Sequence, residues 1–399
     1  MQIAIAGAGV AGLASAILLA RQGHEVTVFD HIADPTPVGA GILLQPTGQA
    51  VLQRLGLLEQ VLTQAAPVHS LQGHTGAWHS LDLNYAAFSP HGPAPHGLGI
   101  HRASLHGILW QAALAQGVQL RLGVAVDQFS STKEGVYLPA VASTFFDALI
   151  IANGTRSRLR ESLPIKQSFR PYPWGAFWTV LDAEDWPFPT TLMQRYRGAH
   201  VMLGVLPTGR NPLTQKTCYS IFWSLPCAEL PLYLAQGMTG LSDRIEAIWP
   251  EVAACLRASP HIELAMAQYA DVRMQHWHHE NILVIGDAAH AMSPQLGQGA
   301  NMALVDAWHA AQCLARSSHV ASAWADYSQK RAAHIRYYQM ASRAMTPLYQ
   351  SHYPVGFLRD LGTSLTRRIP TLHRQTLLTL SGAKQGWLDT RATVEALLA

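Results

Sequence analysis

Residues 1–30, MQIAIAGAGVAGLASAILLARQGHEVTVFD, decide the fold of this chain. The first twenty are uncharged and nearly all small or apolar. A secretion signal carries basic residues ahead of its apolar run, whereas the first basic residue here, Arg21, follows that run. A transmembrane helix is disfavoured because three glycines fall in its first half. We therefore expect no transmembrane segment and a cytoplasmic protein.

The same stretch has the pattern of a strand, a helix and a second strand. Gln2–Ala6 is a short apolar run typical of a buried strand. Leu13–Gln22 is rich in alanine and leucine and is followed by Gly23, which predicts a helix with a glycine cap. Glu25–Phe29 has the β-branched residues of a second strand. Such a unit predicts a largely parallel sheet.

The turn between strand and helix carries three glycines in a GxGxxG pattern. Gly7 allows a tight turn, Gly9 lets the backbone approach a pyrophosphate, and Gly12 lets the helix pack closely on the strand. The free amides at the helix N-terminus suit phosphate oxygens. Asp30 ends the second strand, where it can accept hydrogen bonds from ribose hydroxyls. The pattern predicts a dinucleotide site and leaves NAD and FAD both open.

The composition excludes several other classes of protein. The chain has 399 residues, of which 49% are hydrophobic and 13% charged, so it can bury a large core. The net charge is only +3 and the basic residues form no stripe, which argues against nucleic-acid binding. Neither the four cysteines nor the HWHHE stretch at 276–280 has the spacing of a metal site, so we expect none.

A second motif, ILVIGDAAHAMSPQLGQGANMALVDAWHAAQCLA, spans residues 282–315. A buried strand runs into Gly286 and Asp287, and an acid at that end of a strand faces the ligand crevice of an open α/β sheet. Pro294, Gly297 and Gly299 follow in a loop that can press against a flat ring. The helix predicted to start near Ala300 would stabilise negative charge at its N-terminus.

Residues 286–307 resemble the flavin ribityl motif of class A, single-component FAD-dependent aromatic hydroxylases. The resemblance implies non-covalent FAD, with Asp287 on a ribityl hydroxyl and residues 294–301 facing the isoalloxazine ring. Residues 39–57, with GAGI and then LGL, are similar to another flavin-side segment of that family. Arg102 resembles its arginine near the ribityl chain and pyrophosphate. The residues expected to bind the cofactor are Gly7, Gly9, Gly12, Asp30, Gly41, Arg102, Asn153, Gly154, Gly286, Asp287, Gly297, Gly299, Ala300 and Asn301.

The resemblance also implies a fold and its division into domains. We expect an α/β fold, in which a Rossmann-like FAD-binding domain carries an inserted, mostly antiparallel β-sheet domain for the substrate, followed by C-terminal helices. Aromatic, strand-like runs between residues 168 and 268 support the inserted sheet. The predicted FAD-binding domain comprises residues 1–70, 97–165 and 270–340, the substrate domain 71–96 and 166–269, and the C-terminal helical segment 341–399.

One position departs from the family pattern. The family carries DGxxSxxR after a strand of the FAD-binding domain, and here Gly154, Ser157 and Arg160 match while Asn153 replaces the acid. In the family that acid serves both FAD and the nicotinamide donor. Asparagine keeps its hydrogen-bonding groups but lacks the charge. Tolerated drift and an altered use of the electron donor, or an altered reaction, both remain open.

The resemblance implies an FAD-dependent monooxygenase that uses NADH or NADPH and O2. It would hydroxylate a small, apolar, aromatic or heteroaromatic molecule through a C4a-hydroperoxyflavin. Because the flavin drives this chemistry, we assign no catalytic side chain and expect Gln45, Pro46 and Pro294 beside the ring. The alternatives are epoxidation or reduction on the same fold, or a non-catalytic FAD-binding sensor. The candidate substrate residues on the inserted sheet are Trp174, Trp178, Tyr196, His200 and Trp223. Because alternate residues of a strand face the same side, Trp174, Ala176 and Trp178 would share one face, with Phe177 on the other.

Overall fold

The computed structural model describes residues 1–35, 40–88, 94–132, 135–139, 141, 145–259, 264–390 and 392–399. Gly39 and part of the predicted 71–96 segment therefore lie outside the described residues. The strands, in chain order, are β1 Gln2–Ala6, β2 Glu25–Asp30, β3 Gly41–Leu44, β4 Ala66–Val68, β5 Ser70–Thr75, β6 Trp78–Asn84, β7 Gly97–His101, β8 Gln119–Leu122, β9 Ser130–Thr132, β10 Gly135–Tyr137, β11 Phe145–Phe146, β12 Ala148–Ile151, β13 Gln167–Asp182, β14 Thr191–Arg197, β15 Val201–Arg210, β16 Thr217–Pro226, β17 Ala265–Met274, β18 His278–His279 and β19 Ile282–Val284.

Helices cover both faces of one sheet and one side of another. Short 3₁₀ turns occur at Tyr85–Phe88, Cys227–Glu229 and Pro294–Leu296. The α-helices are α1 Val10–Arg21, α2 Pro46–Arg54, α3 Leu58–Gln64, α4 Arg102–Ala115, α5 Arg158–Glu161, α6 Leu230–Glu246, α7 Pro250–Ala258, α8 Asp287–His290, α9 Gly299–Arg316, α10 Val320–Tyr349, α11 Gly356–Arg368, α12 Pro370–Ser381 and α13 Val394–Leu397.

A six-stranded sheet of order β18-β19-β12-β1-β2-β8 forms the first layer. Its strands pair in parallel, except β18, which pairs antiparallel with β19. All residues of β12 and β19 are buried, as expected for parallel strands covered on both faces. The predicted βαβ unit is confirmed, although α1 begins at Val10, three residues before the predicted Leu13. Gly12 therefore lies in the first turn, where its lack of a side chain allows close packing.

A seven-stranded sheet of order β17-β13-β16-β15-β14-β5-β6 forms the second layer. Its pairs are antiparallel except β14 with β5. Smaller three-stranded sheets, β3-β7-β4 and β11-β10-β9, complete the pairing of the described strands. The α/β class with an additional, mostly antiparallel sheet is confirmed. The residue boundaries of the domains stay a prediction, and α10 runs without a break through the predicted boundary at residue 341.

Helix α10 connects the two layers, since it packs on β18 and β19 and its Gln339 and Arg343 side chains bond to β17. Helix α9 packs on α1, α2 and α10, and α11 packs on β6 at the edge of the large sheet. Residues from α9, α10 and the parallel sheet share one buried apolar cluster. Within the described part of the chain, we find no helix whose length and apolarity would let it cross a membrane.

Candidate cofactor site and adjoining cavity

The glycine-rich turn after β1 leaves backbone groups open to a ligand. Gly9 caps α1 without any side-chain hydrogen bond, so the first amides of the helix keep their donors. A Cβ added at Gly9 would meet no atom within 4 Å. Gly7 has φ +108°, and a Cβ at Gly12 would lie 1.9 Å from the Gly7 carbonyl oxygen. The structure thus requires glycine at 7 and 12 for the fold and leaves the space beside Gly9 for a phosphate group.

Asp30 has a second role that the sequence did not predict. One carboxylate oxygen accepts a hydrogen bond from the Ala8 amide at 2.7 Å, and the other accepts from the Ile32 amide at 2.9 Å. The carboxylate therefore shapes the glycine turn. Because each oxygen has two lone pairs, it keeps acceptor capacity for ribose hydroxyls.

Asn153 lies against the glycine turn, where β12 ends. A Cβ at Gly7 would approach the Asn153 Cα to 2.8 Å, so the two backbones are packed together. The Asn153 Oδ1 atom is buried and has no hydrogen-bond partner among the described residues. An unpaired buried acceptor costs about 1–3 kcal/mol, which a hydrogen-bonding ligand would recover. Gly154, with φ +84°, turns the chain away.

The other matched residues of this segment support the backbone. Ser157 caps α5 by accepting a hydrogen bond from the Arg160 amide at 3.1 Å. The buried Arg160 side chain donates to the carbonyls of Thr155 at 2.9 Å and Ala288 at 3.3 Å. Arg160 therefore ties the Asn153 segment to the segment that follows β19.

Gly286 and Asp287 lie at the carboxyl end of β19, as predicted. Gly286 has φ +60°, and a Cβ there would come within 2.9 Å of the Ala11 Cβ. Its amide donates to Asp306 at 2.9 Å. The Asp287 side chain is exposed and lines the cavity described below. The Asp287 carboxylate is thus accessible to a ligand, while the hydrogen bond from Gly286 to Asp306 fixes the backbone next to it.

Asp306 stands at the centre of that support. It accepts hydrogen bonds from His290 Nε2 at 2.5 Å and Arg331 Nε at 2.9 Å. Arg331 Nη1 in turn donates to His334 Nδ1 at 2.7 Å, and His334 Nε2 lies 2.7 Å from the Gly382 carbonyl oxygen. Burial alone would raise the pKa of Asp306, but His290, Arg331 and the hydrogen bonds hold that pKa well below its usual range. The only sequence signal for this role is that Asp306 is the single acidic residue of α9.

Asn301 positions the loop before α9. Its side chain is fully buried, accepts from the Gln45 amide at 2.8 Å, and donates to the carbonyls of Leu43 at 3.1 Å and Gly297 at 3.0 Å. The side chain thus connects β3, the start of α2 and the loop. Pro294, Gly297, Gly299 and Ala300 line the cavity.

The remaining predicted flavin-side residues lie around this junction. Gln45 is buried; its Oε1 accepts from the Tyr85 hydroxyl at 2.5 Å, and its Nε2 has no partner among the described residues. Pro46 is the first residue of α2. Gly41 lines the cavity and packs closely against Ser220 on β16. The Arg102 side chain is exposed at the start of α4, and its amide donates to the Ala40 carbonyl at 2.9 Å.

A cavity of about 790 Å³ adjoins the α9 loop. Its other walls come from the seven-stranded sheet and from α10, α11 and α12. Trp178 and Ala176 of β13 line it, while Phe177 packs into a separate core on the opposite face. The predicted alternation along β13 is therefore confirmed for these residues. The Trp178 ring packs on Phe222 at 5.0 Å, and its indole N–H donates to the Tyr269 hydroxyl at 3.0 Å.

The other four substrate candidates lie outside the lining of this cavity. Trp174 is buried beside His352, with ring centroids 4.6 Å apart. Tyr196 donates to Gln194 at 2.5 Å and is covered by a guanidinium group. His200 is exposed in a turn. Trp223 packs in the core on the opposite face of the sheet.

Sequence reasoning missed several polar residues of the cavity. Ser224, Tyr269 and Gln350 all line it. Alternation from Phe222 could have suggested Ser224, since both are on the same face of β16. Gln350 follows a long helix, and no local pattern brings it to the sheet.

Comparison with a model of the family described as FAD binding domain gives a match over residues 1–342. The chain belongs to this family. The residues present also suit FAD: the amides beside Gly9, the unpaired Oδ1 of Asn153 and the accessible carboxylate of Asp287 can serve the phosphates and hydroxyls of a dinucleotide.

Curated relatives of this FAD-binding protein include several monooxygenases. A putative FAD-dependent monooxygenase YetM of Bacillus subtilis is 28% identical over 339 residues, which cover 82% of this chain and 88% of the relative. A 6-hydroxynicotinate 3-monooxygenase of Bordetella bronchiseptica is 26% identical over 77% of this chain and 80% of its own length. A 3-amino-4-hydroxybenzoate 2-monooxygenase of Streptomyces platensis, PtnB3, is 28% identical over 94% and 93%. This FAD-binding protein is an FAD-dependent monooxygenase and so an oxidoreductase.

Solved structures share the fold. Klebsiella pneumoniae HpxO complexed with FAD and uric acid has a TM-score of 0.78 at 18% identity, covering 95% of this chain and 97% of that one. A 2-methyl-3-hydroxypyridine-5-carboxylic acid oxygenase mutant has a TM-score of 0.76 at 21% identity, covering 92% and 98%. Both have the arrangement of a Rossmann-like FAD domain and a substrate sheet that this chain shows.

Proposed function

We propose that this protein uses NADH or NADPH and O2 to hydroxylate a small, apolar, aromatic or heteroaromatic compound. The observation that carries the proposal is the shared cavity. The α9 loop at Pro294–Ala300 and the apolar face of the sheet around Trp178 border the same space. A flavin ring against that loop would face a substrate against the sheet.

The names of two relatives support the substrate class. They act on 6-hydroxynicotinate and on 3-amino-4-hydroxybenzoate, which are small aromatic or heteroaromatic compounds. We also propose a cytoplasmic location, because all four cysteines are free thiols, which suits a reducing compartment.

The residues of the chain would hold the cofactor and exclude water. The α1 amides would donate to the pyrophosphate, and the Asn153 Oδ1 and the Asp287 carboxylate would accept from hydroxyl groups of the cofactor, Asp287 on the ribityl side. Bound FAD would supply the electron transfer and the oxygen chemistry. The N-terminus of α9, which has no side-chain cap, would stabilise negative charge on the adjacent ring. The largely apolar cavity wall would keep water from the reacting atoms.

The test is turnover by the purified, FAD-loaded protein. NADH or NADPH oxidation is measured with a panel of phenols and heteroaromatic compounds, in ¹⁸O2, with mass analysis of the products. We expect one ¹⁸O atom in the product and faster oxidation of the donor when substrate is present. Flavin-loaded protein that yields a reduced product would support a reductase, and one without any product would support a sensor. An epoxide would support the alternative oxygenation.

A further inference from the structure

We propose that the substrate of this enzyme is an uncharged aromatic compound with an apolar substituent, not a carboxylated one. This inference rests on the proposed function, because it describes the substrate of that reaction. The binding that it predicts does not depend on turnover. It comes from the charges, the hydrogen-bonding groups and the apolar end of the cavity.

The basic side chains of the cavity are already engaged by the protein. Among the described residues that line it, these are His290, Arg359 and Lys384, each only 2% exposed. Arg359 donates to Asp360 at 2.9 Å, to the Gly198 carbonyl at 3.0 Å and to Thr75 at 2.8 Å. Its guanidinium group also lies 4.1 Å from the centre of the Tyr196 ring. Arg359 therefore joins sheet and helix instead of facing a ligand.

Lys384 is covered in a similar way. Its ammonium group donates to Gln375 Oε1 at 2.7 Å and to the Trp387 carbonyl at 3.3 Å, and it lies 5.2 Å from the centre of the Tyr337 ring. Burial lowers its pKa. His290 is bonded to Asp306, as described above.

The wall therefore offers a ligand no uncovered basic side chain among the described residues. Its exposed acid, Asp287, is assigned to the cofactor in the proposed function. A ligand carboxylate would lose its hydration and find its possible cationic partners covered. Burying a charge without a partner is costly, so the cavity disfavours carboxylated compounds.

The polar groups of the cavity wall at Ser224, Tyr269 and Gln350 are neutral. Tyr269 accepts a hydrogen bond from Trp178, and burial raises the pKa of Tyr269 to about 12, so its own O–H remains a donor. Gln350 donates to Ser224 at 2.9 Å. Gln350 is only 6% exposed, and its Oε1 atom is buried without a hydrogen-bond partner among the described residues. One donor and one acceptor suit a phenol, or a ring with N–H and C=O groups.

The end of the cavity between the sheet edge and α11 is largely apolar, with Asp82 of β6 and Arg359 of α11 as its charged residues. Leucines from β5, β6 and β14 meet leucines of α10 and α11 there, namely Leu71, Leu81, Leu83, Leu192, Leu348 and Leu358. Gly362 of α11 also lines the cavity, and a Cβ added to it would meet no atom within 4 Å. This space suits an alkyl substituent that extends from the aromatic head.

Binding to the oxidised, FAD-loaded protein tests the inference without turnover. Flavin absorbance and fluorescence are followed during titration with 4-alkylphenols of increasing chain length and with 4-hydroxybenzoate. We expect affinity to rise about two- to fourfold for each methylene group until the space is filled. We expect 4-hydroxybenzoate to bind at least tenfold more weakly than 4-ethylphenol. Tighter binding of 4-hydroxybenzoate, or no dependence on chain length, would overturn the proposal.

Two glycine substitutions locate the binding site of the alkyl group. Gly362→Leu fills the apolar end, and replacing glycine inside a helix should not impair folding. Its matched control is Gly107→Leu on α4, outside the cavity lining, where a Cβ also meets no atom within 4 Å. We expect Gly362→Leu to weaken the longest alkylphenol at least tenfold and 4-ethylphenol less than twofold. Equal effects of the two variants would contradict the assignment.

A third variant tests the neutral head group. Gln350→Leu removes the unpaired acceptor, so we expect phenols to bind about five- to tenfold more weakly while alkylbenzenes change less than twofold. Equal loss for both ligand series would contradict a role in recognition. If neutral compounds bind as expected but give no oxygenated product, the proposed function fails and this inference about binding stands.

Discussion

The cofactor side of this protein depends mainly on its backbone, whereas the cavity side depends mainly on its side chains. Around Gly7–Gly12 and Gly286, the site depends on backbone amides, positive φ angles and the absence of Cβ atoms. Across the cavity, the site depends on which side chains β13–β17 and α10–α12 bring together. Backbone requirements restrict the residue type at a position, whereas a cavity wall accepts many residues. The first kind of site is therefore readable from a single sequence and the second is not.

The largest expected effect tests the backbone rule. Gly12→Val places a side chain against the Gly7 carbonyl, so we expect loss of bound flavin and of most folded protein. Gly9→Ala meets no protein atom, so we expect a normally folded apoprotein whose FAD affinity falls at least tenfold. Flavin content after purification and the thermal midpoint of the apoprotein measure the two effects. If both variants bind flavin fully, the cofactor side does not depend on the absence of Cβ atoms at these glycines.

The next effect concerns the buried support behind Gly286. Asp306→Asn leaves Arg331 buried without its ionic partner, and we expect a loss of about 3–5 kcal/mol in the free energy of unfolding. The double variant Asp306→Leu with Arg331→Met should recover much of that loss. Urea unfolding of the three proteins measures it. If Asp306→Asn is as stable as the wild type, the Asp306–Arg331 pair does not stabilise the segment at Gly286.

Two buried histidines, His309 on α9 and His334 on α10, should make the protein less stable on mild acidification. Burial lowers the pKa of His309 to about 3 and lowers the pKa of His334 well below its ordinary value, so both stay neutral in the folded state. The unfolded chain binds protons near pH 6.5, so stability is full above that pH and falls below it. The expected slope is about 1.4 kcal/mol per pH unit for each histidine. Urea midpoints between pH 7 and 5 test this, and His309→Gln should remove its own share of the slope.

The smallest expected effect is at Asn153, where this chain has asparagine in place of the acid of the family pattern. Asn153→Asp adds a charge beside the glycine turn without changing its shape. We expect FAD affinity to change less than about tenfold, because aspartate keeps an acceptor oxygen at this position and one typical hydrogen bond contributes about 0.5–1.5 kcal/mol. Flavin reduction by NADH and by NADPH, measured by stopped flow, should change more than FAD affinity if this position affects the donor. Equal, small changes would favour tolerated drift.

The sequence predicted the α/β class, the βαβ unit and the mostly antiparallel inserted sheet, because each follows from local periodicity or glycine spacing. It also predicted opposite faces for Trp178 and Phe177. It could not tell which face borders the cavity, since that depends on α10–α12 packing more than a hundred residues away in the chain. Asp306 went unnoticed for a similar reason: its ionic partner Arg331 lies on another helix.

The link from Asp306 through Arg331 and His334 to Gly382 has a consequence for protein engineering. It starts at the strand end beside the cofactor and finishes after α12, beyond the last residue matched by the family. A chimaera that joined residues 1–342 to the final segment of a relative would exchange much of the cavity wall. It would also have to recreate the carbonyl that His334 meets. We therefore expect that substrate range cannot be exchanged without affecting cofactor retention, and that the successful chimaeras are those that keep the turn at residue 382 intact.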